Sequence, residues 1–164
     1  MRSKKNEEIL FYFDVLSGLV SKSVITEETK NLVSYHMEFY IMNADYGRRR
    51  YNATNKLVII CTSLIPLINM VEVKHMKYVA SILAIISSVA ISISSLKSYK
   101  LTWLKYRQAA EEIKASIREI AREISKNENS INCNTMLLES LNTTLENEVK
   151  NWNKYLKDKK ERGK

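Results

Sequence analysis

Two sets of side chains in this sequence have the type and spacing to do chemistry, and neither is catalytic. Lys100, Arg107 and Lys114 recur every seven residues, so a helix stacks them in one column, and Arg118 and Arg122 extend its charge. Such a column has the charge to grip phosphates. The alternative is a solvated face balanced by Glu111, Glu112, Glu119 and Glu123, with Arg107–Glu111 as an i,i+4 pair. The second set is hydroxylic. Ser81, Ser88, Ser92 and Ser95 fall within about 60° of one another on a helical wheel. Thr62, Pro66 and Asn69 share a face of another apolar run. Hydroxyls in a row line a narrow wet pore. Equally, small residues let helices approach closely, and serines satisfy themselves on carbonyls one turn back. Both readings need neighbouring helices, so both imply an oligomer.

No catalytic constellation accompanies these sets. His36 and His75 fall on opposite sides of the apolar segment, and the chain has no P-loop and no Cys-x-x-Cys. The expectation is a protein that is not an enzyme, with no cofactor and no metal site. Cys61 and Cys133 are too few for a disulfide framework. The 26 Lys and Arg against 18 Asp and Glu leave a net charge of +8, which suits an anionic partner, lipid or nucleic acid.

The elements that position these groups are helices. Three glycines and one proline in 164 residues leave little material for hairpin turns or phosphate loops, so β-sandwich, barrel and Rossmann readings fail. Tyr78–Leu96 runs for nineteen residues without a charge, about 28 Å of helix against a hydrocarbon core of about 30 Å. Leu57–Val71 is shorter. Extended back toward Tyr51 it meets only Lys56, whose stem snorkels to the headgroups. The expected fold is therefore all-α: a two-span transmembrane hairpin with long cytoplasmic helices forming a coiled-coil-like bundle, in a homo-oligomer. Arg48, Arg49, Arg50 and Lys56 precede the first span and Lys97, Lys100, Lys105 and Arg107 follow the second. The positive-inside rule then puts both termini in the cytoplasm, and the arginines at headgroup height meet anionic lipid.

The expected organisation runs as follows. Residues 1–25 form an amphipathic helix marked by Ile9, Phe13, Leu16 and Val20. Residues 26–55 form a juxtamembrane helix capped by Thr26, with Leu32, Tyr35, Phe39, Met42 and Tyr46 at helical period. The hairpin occupies 56–96, with spans near 52–73 and 78–96 joined through Glu72–Lys77. Residues 97–126 continue the second span as one helix whose heptad seam includes Leu96, Trp103, Tyr106, Ala110, Ile113, Ile117 and Ile120. Residues 127–164 are a linker and a last helix carried by Leu138, Leu141, Leu145, Val149, Trp152 and Leu156.

From about Tyr35 to Glu123 the sequence resembles the SLATT domains, two-span effectors associated with nucleotidyltransferase and nucleotide-sensing proteins in bacterial conflict systems. The resemblance rests on YHMEFYIMNADYGRRRYNATNK entering the first span and on the step at Leu64-Ile65-Pro66. Its most specific part is WLKYRQAAEEIK, where Trp103, Tyr106, Arg107 and Glu111 match a W-x-x-Y-R-x-x-x-E pattern. The resemblance implies a homo-oligomeric pore in the bacterial inner membrane, and closing a ring of two-span subunits around a lumen favours a tetramer. It would act in anti-phage defence by depolarisation, in the manner of abortive infection, under a nucleotide or oligonucleotide made by a partner nucleotidyltransferase. The competing expectation is a non-conducting scaffold that recruits partner proteins through its coiled-coil helices.

Overall fold

The computed structural model describes residues 4–71, 74–125 and 132–162, and every regular element among them is an α-helix. In chain order these are α1 Lys4–Ser21, α2 Glu27–Asn69, α3 Lys74–Lys97, α4 Tyr99–Ser125 and α5 Cys133–Arg162. The start of the expected hairpin connector, Glu72 and Val73, and the linker at 127–131 lie outside the described residues. The chain divides into two units, Met1–Met42 with Tyr106–Lys164, and Asn43–Lys105.

The first unit gathers α1, the start of α2, most of α4 and α5 around one core. Local chemistry sets its turns. α1 ends at Ser23, whose φ of 57° is left-handed. The Ser23 N–H reaches the Val20 carbonyl (2.8 Å) and the Val24 N–H the Leu19 carbonyl (3.0 Å), the paired bonds of a Schellman cap. Thr26 then caps α2: the Thr29 N–H donates to its Oγ1 at 3.2 Å, and Glu27 and Glu28 follow at the positive end of the dipole. The core joins Leu16 and Leu19 of α1, Val33, Met37 and Tyr40 of α2, Ala110, Ile113, Ile117 and Ile120 of α4, and Leu137 and Leu141 of α5.

Three periodicities are corrected here. On α2 the buried face is Val33, Met37, Tyr40, Ile41 and Ala44, while Leu32, Tyr35, Phe39, Met42 and Tyr46 stay 42–66% exposed. Both rows have helical spacing, and periodicity does not say which row meets a neighbour. On α5 Leu141 and Leu145 of the expected row pack on the core together with Cys133 and Leu137, whereas Val149 and Trp152 are exposed. The heptad seam of α4 is buried from Ala110 to Ile120 against helices of the same chain, but Leu96 is 77% exposed.

Leu96 drops out because the expected unbroken helix over 78–126 is two helices. Ser98 adopts a φ of 46° and turns its N–H onto the Ser95 carbonyl at 3.2 Å, which breaks the i→i−4 ladder. α4 starts afresh at Tyr99. In the other direction, the expected boundary at residue 55 vanishes: α2 is one helix of 43 residues that continues through Pro66.

The second unit is the hairpin of α2 and α3 with the first turns of α4. Its seam is built from small groups, with Cys61, Ala80 and Ser87 buried and Leu83, Ala90 and Ser94 half-buried. Both helices are long and apolar enough to cross a membrane, and only 6% and 11% of their most apolar windows are buried. Gly47 sits where the backbone of Trp103 comes close; a Cβ there would stand 2.9 Å from the Trp103 Cβ.

Candidate functional site

The basic column is divided by the fold. Lys114 is only 2% exposed, and its Nζ bonds both Glu8 and Glu111 while lying 5.8 Å from the Tyr12 ring centroid. Arg107 pairs with Glu111 at 2.7 Å and with Glu8 at 3.2 Å. Arg118 donates to the Tyr12 hydroxyl at 3.1 Å. The N-terminal helix therefore lies on the column and places a carboxylate where a ligand's phosphate was expected. Lys114 is corrected from a ligand contact to a buried member of this network, and Arg107 is committed to two carboxylates. Arg118 and Arg122 are exposed, and Lys100, also exposed, falls in the second unit.

The electrostatics follow from these partners. Burial pushes the Glu8 carboxyl up, but hydrogen bonds and charge from Lys114 and Arg107 outweigh it, and its pKa falls below the ordinary 4.5. For Arg107, burial acts against the charge and is outweighed by Glu8 and Glu111, which raise its pKa. Tyr40 is pushed well up by burial and by donating a 2.7 Å hydrogen bond to Glu148, and Tyr106 is raised by burial and by the Glu148 charge. Among the described residues no group of three or more His, Cys, Asp or Glu side chains is placed to hold a metal ion.

In the second unit Ser81, Ser88, Ser92 and Ser95 all lie on the exposed surface of α3. The packed serines are Ser87 and Ser94, roughly 130° round the helix. Ser87 and Ser94 went unnoticed because the wheel groups residues without saying which group meets α2. The signal available was Ala80, Leu83, Ser87, Ala90 and Ser94 in alternating steps of three and four. The Ser81 hydroxyl donates to the Lys77 carbonyl (3.0 Å) and Ser92 to Ser88 (2.9 Å). On α2, Thr62 bonds the Val58 carbonyl at 2.8 Å, and Thr62 and Asn69 are exposed. Arg48, Arg49, Arg50 and Lys56 are also exposed on α2, with Arg49 paired to Asp45 at 2.9 Å and Arg50 over the Tyr46 ring at 5.2 Å. No local signal marks Glu8, which is 106 positions from its Lys114 partner.

Residues 36–119 match the family described as "Protein of unknown function (DUF4231)". The matched segment begins within α2, takes in all of α3 and ends within α4, so it contains the whole second unit. No curated protein and no solved structure matches the chain.

Proposed function

The chain belongs to the DUF4231 family, and from that premise we propose that it is a membrane-embedded, homo-oligomeric ion pore. One observation carries the reading. The hydroxyl stripe of α3 stands on the outer surface of the hairpin, away from the seam with α2, among exposed isoleucines. In a ring of subunits that stripe turns inward, and Ile82, Ile85 and Val89 face lipid or neighbouring spans. The exposed row Leu32, Tyr35, Phe39, Met42 and Tyr46 on α2 offers a second contact between copies, and four copies close a small lumen.

The flanking arginines and lysines favour cytoplasmic termini. The SLATT resemblance supports a bacterial inner-membrane effector of anti-phage defence, with no reaction of its own, that depolarises the cell when a nucleotide or oligonucleotide from a partner nucleotidyltransferase binds. Arg118 and Arg122 are exposed cations of the first unit toward that ligand, and reaching Arg107 requires it to compete with Glu8.

The scaffold reading has its own support. Ser81, Ser92 and Thr62 already donate their protons to backbone carbonyls, which suits dry helix contacts as well as a wet lumen. Planar bilayers separate the two. Reconstituted protein is expected to show discrete conductance altered by an oligonucleotide or cyclic nucleotide. Ser88→Leu is expected to abolish it while the protein stays inserted and oligomeric. A silent bilayer from inserted, oligomeric wild type sinks the pore and leaves the scaffold.

A further inference from the structure

Where α3 gives way to α4, the second unit has an open groove of about 370 Å³ whose lining changes along its length. Val58 and Ile91 form its apolar end. The next turn of each helix brings Thr54 and Asn55 from α2 and Ser94 and Ser95 from α3. Tyr51, Ser98 and Lys100 stand at the far end, toward the start of α4, with Leu101 beside them. Among the described lining residues there is one cation and no carboxylate. Thr54 spends its proton on the Arg50 carbonyl, which leaves Tyr51, Asn55, Ser94 and Ser95 as hydrogen-bond donors.

Apolar, then hydroxyl and amide, then cationic is the order in which a glycerophospholipid presents acyl chain, ester and phosphate. We propose that this groove holds one anionic phospholipid, its phosphate on Lys100 and Tyr51 and its glycerol esters against Asn55 and Ser94. The acyl chains begin at Val58 and Ile91 and continue over the exposed apolar surface of the hairpin. The proposal rests on the membrane reading above, which puts this end of the hairpin at headgroup depth. A free phosphate suits the groove less well. A single exposed lysine in water holds a phosphate weakly, and the apolar end would face it with nothing to bind. A lipid draws its affinity from its chains and leaves Lys100 to select the headgroup.

The test uses the full chain in detergent, with phosphatidylglycerol and phosphatidylcholine of equal chain length competing, and native mass spectrometry to count retained lipid. Wild type is expected to prefer phosphatidylglycerol by about fivefold, the effect of one charge at the interface. Lys100→Gln should bring the ratio to parity, Lys100→Arg should keep it, and Arg48→Gln should also keep it, because Arg48 is exposed outside the groove. Equal losses from Lys100→Gln and Arg48→Gln mean diffuse surface charge and overturn the site. Displacement of the lipid by an equal concentration of glycerol phosphate overturns the lipid as occupant. A parallel arm asks whether the protein resists carbonate extraction from vesicles of phosphatidylcholine alone. Resistance without headgroup preference removes the groove and leaves the membrane reading standing. Extraction removes both.

Discussion

In the first unit Ile113, Ile117 and Ile120 of α4 are at most 2% exposed, whereas Ile82, Ile85 and Ile86 of α3 in the second are 41–63% exposed. Residue type and helical spacing are alike, and what differs is the material opposite. α4 meets leucines, a tyrosine and a methionine from three other helical segments, and the gain is apolar area taken out of water. α3 meets α2 through Ala80, Ser87 and a buried cysteine, and leaves its largest side chains outside. A seam of that kind removes little area from water and gains mainly from close approach, which is how helices associate in lipid. The first unit buries its large side chains, and the second leaves them outside.

Core truncation should break the symmetry most strongly. Ile117→Ala is expected to cost about 3 kcal/mol, and Ile85→Ala in detergent less than about 0.5 kcal/mol. Denaturant titration followed by circular dichroism gives both values, and equal costs would erase the contrast between the units.

Next in size is the charge network that ties α1 to α4. Lys114→Met leaves the carboxylates of Glu8 and Glu111 sharing only Arg107, at an expected cost of about 2 kcal/mol. The acid limb of stability sharpens the test. The folded pKa of Glu8 lies below 4.5, so its contribution is complete above that pH and is lost as pH falls through the folded value. Lys114→Met should flatten the fall in stability below pH 4.5. An unchanged acid limb would mean that Glu8 does not depend on Lys114.

The same substitution in each unit should then act with opposite signs. Gly47→Ala forces a Cβ to within 2.9 Å of Trp103, and overpacking of that kind costs about 1–2 kcal/mol. Gly18→Ala in α1 meets nothing within 4 Å and is expected to stabilise by about 0.5–1 kcal/mol through helix propensity. Thermal midpoints moving the same way for both variants would show that the approach at Gly47 is not tight.

These contrasts also mark what the sequence made legible. The helical class, the two apolar runs, the cap at Thr26 and the seam from Ala110 to Ile120 follow from local rules, because each depends on neighbours within a turn or two. The break at Ser98 left no trace, since a serine with left-handed φ has no compositional signature where glycine would have. The serine stripe was visible, but its orientation depends on α2, which a wheel does not contain. The basic column was visible too, but its owner was not. Glu8 reaches it only once α1 has folded back, and no spacing rule spans 106 residues.

Lys114 has one more use, as a chemical reporter. An amine 2% exposed and held between two carboxylates is closed to acylating reagents while α1 stays docked. Lys105, on the same helix, is exposed to the same reagents. The ratio of modification at Lys114 to that at Lys105 therefore reads the fraction of time α1 spends lifted away. Mass spectrometry of digested protein can follow that clock.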